Sequence, residues 1–187
     1  MKSPTILLAL YTLSWHTCTT RAFGAATRNG AQMETTVRNY FQGVHTKDAA
    51  LIRSCFGDTA TIRDVCGLNA SQRTVPAEDL VQRCMDFVAA HPDVSIDFHY
   101  GPVLCGSEQD EPWVFAHWYE TGTWSGESCG IPPANKPMAC EGQTRFRVDP
   151  ETMKIKEFVV TRTFTDWEKA FIEKQKQLLD ETTELSS

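Results

Sequence analysis

The stretch that decides the fold is residues 112–127, PWVFAHWYETGTWSGE, which reads as a long strand that runs into a turn. It holds three of the five tryptophans in the 187-residue chain. Because side chains alternate along a strand, Trp118 is expected to point to one face, and Phe115 and Tyr119 to the other. Both faces carry apolar bulk, which predicts that the core covers one side and another layer or subunit the other. Gly122 predicts a bend of the kind that curls a sheet around a cavity.

Composition and length favour one globular domain. The net charge of -6 is mildly acidic and no basic stripe occurs, so nucleic acid is not expected as a partner. We find no internal repeat and no low-complexity tract. No apolar run is long enough to span a bilayer, so no transmembrane segment is expected.

The first 33 residues are expected to be a targeting sequence. Residues 1–22 combine a positive Lys2, an apolar run over 6–15 and small residues before Ala22, as in a signal peptide. Residues 23–33, FGAATRNGAQM, contain one arginine and no acid, as transit peptides do. The Ala-Phe junction between the two resembles the bipartite plastid presequence of diatoms and related algae with complex plastids. The resemblance implies import into the plastid (chloroplast), with plain secretion or the endomembrane system as the alternative.

The remaining chain, residues 34–180, is expected to form the folded domain, with helices first and strands after them. Hydrophobic periodicity predicts helices over residues 33–46, 49–56, 76–90 and 166–179. Strands are expected over residues 60–66, 94–104, from 112 onward, 140–148 and 153–164. Residues 181–187 are expected to be a frayed tail. This order predicts an α+β domain whose sheet folds its apolar face over the helices.

The run WYETGTWSGE, followed by GIPPANKPMACEGQTRFRV, resembles the SnoaL-like branch of the NTF2-like superfamily. In that family a strand with a tryptophan leads into a Gly-Thr turn, a loop with paired prolines and a strand that ends in an aromatic-Arg-Val sequence. The matching residues here are Trp118, Gly122, Thr123, Gly126, Pro132, Pro133, Gly142, Phe146, Arg147 and Val148. The resemblance spans about residues 34–160. It implies an NTF2-like cone, in which a strongly curved mixed sheet wraps around the N-terminal helices and encloses a pocket.

The resemblance also implies a function, in which a small hydrophobic molecule binds inside the cone. No cofactor is expected, because no cofactor-binding motif occurs. The expected pocket residues are Tyr40, Phe41, Ile62, Trp118, Glu120 and Phe146. An isomerase or a polyketide cyclase-like enzyme needs an ionisable group in this pocket, whereas a binding protein needs only the pocket. The third alternative is an assembly domain that acts through the outer sheet face. Homodimerisation through that face is common in the superfamily and would cover Phe115 and Tyr119.

Asp64 and Glu157 are the candidate catalytic residues. Asp64 shares a strand face with Ile62, so its carboxylate is expected in apolar surroundings that suit proton transfer. The alternative is that Asp64 ends its strand and bonds the following loop. Strict alternation from Ile155 places Glu157 inward as well, near Asp64. Many family members read Glu-His-Trp at this place, but this chain reads EFV, which puts the cyclase chemistry of the family in doubt.

The cysteines beyond the presequence allow one disulfide to be considered. Cys129 and Cys140 bracket a loop with three prolines, GIPPANKPMA, between two predicted neighbouring strands. A bridge across the base of this loop would add roughly 3 kcal/mol of stability by loop closure. It is expected to be open in a reducing stroma and closed in a lumen or endomembrane space.

The histidines give no sign of a metal site in the sequence. His45, His91, His99 and His117 share no ligand spacing such as HxH or HExxH, and none stands beside a cysteine pair. His99 and His117 can be neighbours on paired strands, where the simplest interpretation is two structural histidines. No G-x-S-x-G, Walker or dinucleotide-binding glycine pattern occurs either.

Overall fold

The computed structural model describes residues 28–64, 72–106, 112–128 and 130–184. The elements are α1 (Arg28–Thr46), α2 (Ala49–Ser54), β1 (Phe56–Asp64), β2 (Arg73–Pro76), α3 (Ala77–Ala90), β3 (Ser95–Cys105), β4 (Trp113–Trp124), β5 (Lys136–Val148), β6 (Ile155–Phe164) and α4 (Asp166–Glu184). The predicted signal peptide, residues 23–27 of the transit-like segment, Cys129 and residues 185–187 lie outside the described residues, so the expectations for them stay predictions.

The strands form one curved mixed sheet of six strands in the order β2-β1-β6-β5-β4-β3. Strands β1 and β6 pair in parallel, and all other neighbours pair in antiparallel fashion. The first long strand of the chain therefore lies beside the last one, near the middle of the sheet. The α+β class with a curved sheet wrapped around helices is confirmed.

The central strand β4 alternates between the core and the outer face, as its sequence predicts. Val114 and Ala116 are fully buried and Trp118 is 5% exposed, while Tyr119 is 37% exposed. The inner face of β4 packs against α1, and apolar residues of α1 and α3 belong to the same hydrophobic core. Burial of one large apolar side chain contributes about 1.5–3 kcal/mol, so the inner row of β4 is a main source of stability.

Helix α1 begins earlier than the sequence boundary predicts. It starts at Arg28 rather than at residue 33, and both Met33 and Val37 are fully buried. Met33 and Val37 are four residues apart and so share one face of the helix. The apolar stripe thus extends back into the segment that was expected to be transit-like, and Met33 belongs to the core of the domain.

Two features of the sheet were not expected from the sequence. Strand β2 is a short edge strand whose last residue, Pro76, is tolerated because edge strands need not donate every backbone N–H. The second feature is a break in register on β6, where Ile155 pairs with Val148 but Glu157 pairs with Arg147. One extra residue on β6 therefore shifts the alternation of all residues that follow it.

In the described part of the chain, no helix combines the length and the hydrophobicity that a transmembrane span requires. The C-terminal helix α4 instead packs on the end of β4, where the rings of Phe171 and Trp124 meet edge to face at 5.3 Å. Glu168 in its first turn is buried and accepts a hydrogen bond from the backbone N–H of Thr165 at 2.9 Å. This contact satisfies one of the free N–H groups at the start of the helix.

Candidate functional site

A cavity of about 420 Å³ lies between the inner face of the sheet and helices α1 and α3. Its walls are mostly apolar and include Phe41, Val44, Leu80, Phe87, Trp118 and Phe158. Cavities of roughly 300–1,000 Å³ with few polar groups are typical of small-molecule sites. The curved sheet and the two helices therefore enclose a space of the right size and character for a small hydrophobic ligand.

One end of this cavity carries charged groups, with Asp64 at their centre. Asp64 is 3% exposed and accepts hydrogen bonds from Arg83 on α3 and Arg162 on β6, both to its Oδ2 atom. Both arginines also line the cavity. The expectation that Asp64 lies in apolar surroundings is wrong, because two guanidinium groups flank it. Proton abstraction by this carboxylate would leave two cations without their counter-ion, which is costly where water is scarce.

Glu120 is the second carboxyl group on the cavity wall, and its surroundings differ from those of Asp64. It lies two residues after Trp118 on the inner face of β4 and is 4% exposed. Burial raises the pKa of Glu120 to about 7, the nearby carboxylates of Glu168 and Asp64 add to the rise, and the charge of Arg162 opposes it. A carboxyl group with such a pKa is half protonated near neutral pH, as proton transfer requires.

Trp118 forms the wall next to Glu120 and is held from two sides. Its indole Nε1–H donates a hydrogen bond to Thr144 Oγ1 at 2.9 Å, and Thr144 is itself buried. Its ring lies over Gly142, where an added Cβ would be only 2.2 Å from Trp118 Cζ2. The tryptophan can occupy this position only because its cross-strand partner has no side chain.

No protein-family model and no curated protein matches the sequence. Solved structures do match in shape. A protein assigned as a SnoaL-like polyketide cyclase from Jannaschia sp. CCS1 superposes with a TM-score of 0.60 at 13% identity, over 74% of this chain and 90% of that one. This chain has the SnoaL-type, NTF2-like fold. The SnoaL-type cone recurs in a protein assigned as a polyketide cyclase from Acidithiobacillus ferrooxidans, with a TM-score of 0.58, 16% identity and 78% and 95% coverage.

The same SnoaL-type cone is found in SalBIII, an epoxide hydrolase/cyclase-like enzyme with a role in pyran ring formation in the polyether salinomycin. Its TM-score is 0.52 at 20% identity, over 71% of this chain and 92% of that one. At such identities the likeness establishes the fold alone. What the cone of the present chain can do must be read from its own cavity.

The structure places most of the expected pocket residues on the cavity wall. Those on the wall are Tyr40, Phe41, Ile62, Trp118 and Glu120. Phe146 is different, because it is fully buried behind the wall, with its ring stacked on Phe158 at 5.8 Å. Its assignment as a pocket residue is therefore corrected to a core residue that supports the wall.

Glu157 does not project into the SnoaL-type cone. It pairs in register with Arg147 on the outer face, and its Oε2 atom lies 3.6 Å from Arg147 Nε. The expectation that Glu157 lies inside near Asp64 is wrong because it assumed strict alternation from Ile155. The register break at the start of β6 moves Glu157 to the outer face and turns Phe158 inward.

Tyr40 and Cys84 add a second polar spot to the wall. The Tyr40 hydroxyl and the Cys84 sulfur are 3.6 Å apart, and both residues line the cavity. Burial raises the pKa of the Tyr40 phenol well above its usual value, and burial also raises the pKa of the Cys84 thiol. Both groups are therefore neutral at physiological pH and are suited to hydrogen bonding with a ligand rather than to attack on it.

Sequence reasoning missed the two arginines at the charged end of the cavity. A signal for Arg83 is present, since it lies on the helical face that Leu80 and Phe87 also occupy, three and four residues away. Arg162 gives no such signal, because its inward position follows from the register of β6. Metal-ligating side chains come together on the outer face instead, where ligand atoms of His99, His117 and Glu141 lie within 4.8 Å of one another.

Proposed function

We propose that the protein binds a small hydrophobic molecule in the cavity of the cone and transfers a proton on it, in a reaction of isomerase or cyclase type. Glu120 is the proton-handling group in this proposal. The observation that supports it most is a buried carboxyl group with a pKa of about 7 on the wall of an apolar cavity of about 420 Å³. The shared fold with proteins assigned as SnoaL-like polyketide cyclases agrees with this class of reaction.

The charged groups on the cavity wall have different roles in this mechanism. Glu120 takes a proton from an acidic C–H group of the ligand, or gives one to an oxygen atom, because both of its forms are populated near neutral pH. Asp64 holds the guanidinium groups of Arg83 and Arg162 in place through its ion pairs. A guanidinium group on the wall can then stabilise negative charge that develops on a substrate oxygen. The apolar walls exclude water and strengthen these interactions.

The test has two stages, since the ligand must be identified before its conversion is measured. Protein purified from its source is examined by native mass spectrometry and solvent extraction for a bound small molecule. Conversion of that molecule is then followed in deuterium oxide with the wild-type protein and with Glu120→Gln. We expect the wild type to introduce solvent deuterium, with a rate that changes around pH 7, and Glu120→Gln to lose roughly 100-fold or more in rate.

Glu157→Gln is the matched control because it makes the same chemical change on the outer face. It is expected to convert the ligand at the wild-type rate. If Glu120→Gln binds and converts the ligand at the native rate, the proton-transfer role is refuted and a binding protein without catalysis becomes the better description. If purified protein carries no small molecule and binds none, the ligand-binding function itself is refuted.

A second proposal concerns assembly, and the outer face of the sheet supports it. Tyr100 is 67% exposed, Val103 41% and Tyr119 37%, so this face presents three large apolar side chains to solvent, and exposed apolar patches often mark interaction sites. We propose a homodimer that covers Phe115 and Tyr119. Light scattering at micromolar concentration is expected to give twice the monomer mass, and Tyr119→Lys is expected to lower it. A monomer in the wild type contradicts the proposal.

The location of the protein is also a proposal, based on the sequence of its first residues. We propose removal of residues 1–22 as a signal peptide and import into a plastid, with secretion as the alternative. Helix α1 begins at Arg28 and Met33 is buried in the core, so a second cleavage compatible with the fold would precede the helix. N-terminal sequencing of protein isolated from cells is expected to find a start between residues 23 and 28. An intact Lys2 would contradict this.

A further inference from the structure

Three side chains with metal-ligating atoms meet on the outer face of the sheet, on the side opposite the cavity. They are His99 on β3, His117 on β4 and Glu141 on β5, three neighbouring strands. The Nε2 atom of His117 lies 2.6 Å from Glu141 Oε1, and the Nε2 atom of His99 lies 3.8 Å from the same oxygen. Two imidazole nitrogens and one carboxylate thus converge on a single point of the surface.

A β-bulge brings His99 into this group. Phe98 pairs with Trp118 and Tyr100 pairs with His117, so His99 is an extra residue on β3 without a partner position on β4. Bulges redirect a side chain at the place where the ladder is interrupted, and they are frequent beside functional sites. Glu141 reaches His117 diagonally, because its own partner in register is Tyr119.

We propose that His99, His117 and Glu141 bind a divalent first-row transition-metal ion, for which Zn²⁺ is the natural probe. Imidazole and carboxylate are the ligands that Zn²⁺, Ni²⁺ and Cu²⁺ accept, and two histidines with one carboxylate form a known ligand set. Ligand atoms about 2.1 Å from a tetrahedral ion are about 3.4 Å from one another. The observed separations of 2.6 and 3.8 Å lie on both sides of this value, and the ligand atoms of all three residues lie within 4.8 Å of one another, so side-chain rotations can bring them around one ion.

The surroundings of the three ligands restrict the imidazole rings and leave the site accessible. The ring of Tyr119 packs on His99 at 4.8 Å, and the ring of Tyr100 is stacked on His117 at 6.2 Å. In the monomer the three ligand side chains remain 21% to 55% exposed, so an ion can reach them from solvent. Three protein ligands leave at least one coordination position for water or for a group from another molecule.

Isothermal titration of the metal-free protein with ZnCl₂ tests the proposal. The exposed thiol of Cys105 is replaced in all variants by Cys105→Ser, because a thiol also binds Zn²⁺. We expect one ion per chain in this background and a loss of roughly 100-fold in affinity in both His117→Gln and Glu141→Gln. His45→Gln, which changes an exposed histidine on α1, is the matched control and is expected to bind like the parent. Mg²⁺ at the same concentration is expected not to compete, since it prefers oxygen ligands.

A second measurement identifies the ligands directly. Co²⁺ in place of Zn²⁺ is expected to give visible absorption of a nitrogen and oxygen site, which disappears in His99→Gln. The thermal midpoint of each variant without metal shows whether it is folded, and these partly exposed residues are expected to leave it unchanged within error. Equal Zn²⁺ affinity in the parent and in folded His117→Gln overturns the proposal, as does the absence of stoichiometric binding in the parent. The readout does not depend on any activity of the cavity.

Discussion

Glu120 and Glu141 lie on neighbouring strands of the same sheet, yet they occupy opposite faces and different physical environments. Glu120 pairs in register with Cys140, the residue next to Glu141, and a step of one residue separates the inside from the outside. Glu120 is 4% exposed, and burial raises its pKa to about 7. The side chain of Glu141, in contrast, is 55% exposed and contacts His117 at the surface of the protein. The same carboxyl group is thus suited to proton transfer on one face and to binding a cation on the other. Strand alternation, rather than residue type, decides between these two roles.

The sharpest way to break the contrast between the faces is to truncate adjacent residues of β4. Trp118→Ala is expected to lower the free energy of unfolding by about 3–5 kcal/mol, because it empties a buried site and removes the hydrogen bond to Thr144. Tyr119→Ala, on the outer face, is expected to cost about 1 kcal/mol or less in the monomer. Urea unfolding of both variants gives the comparison. Equal losses of stability would contradict the assignment of one buried and one exposed face to β4.

The two ion pairs of the inner and outer faces offer the second contrast. Asp64→Asn is expected to cost about 3 kcal/mol of stability, because Arg83 and Arg162 lose a buried counter-ion at the cavity wall. Glu157→Gln breaks the more exposed pair with Arg147 and is expected to cost at most about 1 kcal/mol. Denaturant midpoints measured side by side test this order. A stable Asp64→Asn variant would mean that the two arginines do not depend on Asp64.

The raised pKa of Glu120 predicts how stability changes with pH. The folded state keeps a proton up to a pKa of about 7, while the ordinary value in an unfolded chain is near 4.5, so unfolding between these values releases a proton. The contribution of Glu120 is therefore fully present below about pH 4.5 and is lost as pH rises through about 7, by an amount on the order of 3 kcal/mol.

This dependence on pH is measured by urea unfolding at about pH 5 and about pH 8, with Glu120→Gln as the reference that cannot titrate. The wild type is expected to lose stability relative to Glu120→Gln as the pH rises. Glu141→Gln, on the exposed face, is expected to follow the wild type over the same range. Parallel curves for the wild type and Glu120→Gln would show that Glu120 is not desolvated.

The smallest expected effect concerns the contact between Gly142 and Trp118. Gly142→Ala places a Cβ 2.2 Å from Trp118 Cζ2, so the ring must move, at an expected cost of about 1–3 kcal/mol. Gly57→Ala on β1 is the control, because nothing lies within 4 Å of its Cβ position, and its stability is expected to be unchanged or slightly higher. Thermal unfolding of both variants is sufficient. Equal thermal midpoints would show that the Trp118 ring can shift to accommodate the added methyl group without loss of stability.

The sequence predicted the frame of the fold well, because long strands and helices carry a strong periodic signal. The alternation in β4 gave the buried and exposed rows, with Trp118 inside. Single-residue irregularities could not be predicted from the sequence, because a bulge inserts only one residue and leaves no recognisable hydrophobic pattern. The shift on β6 moved Glu157 outward, and the bulge on β3 brought His99 to His117.

The charged end of the cavity was harder to predict for a related reason. The effect of burial on a carboxyl group depends on what surrounds it, and the partners of Asp64 come from α3 and β6. Asp64 lies inside as expected, but two arginines surround it, while the desolvated carboxyl group is Glu120. Such tertiary neighbours cannot be read from local periodicity.

The parallel pairing of β1 with β6 has a consequence for the synthesis of the chain. Asp64 meets Arg83 after 19 residues but meets Arg162 only after 98, when most of the domain has already left the ribosome. Until β6 is present, the sheet consists of two separate pieces, β2-β1 and β5-β4-β3. Each piece then exposes the open edge of a strand, the kind of surface that pairs with other chains. A nascent chain that stalls before Ile155 therefore exposes two additional strand edges, on β1 and β5, and β6, the last strand to be synthesised, pairs with both.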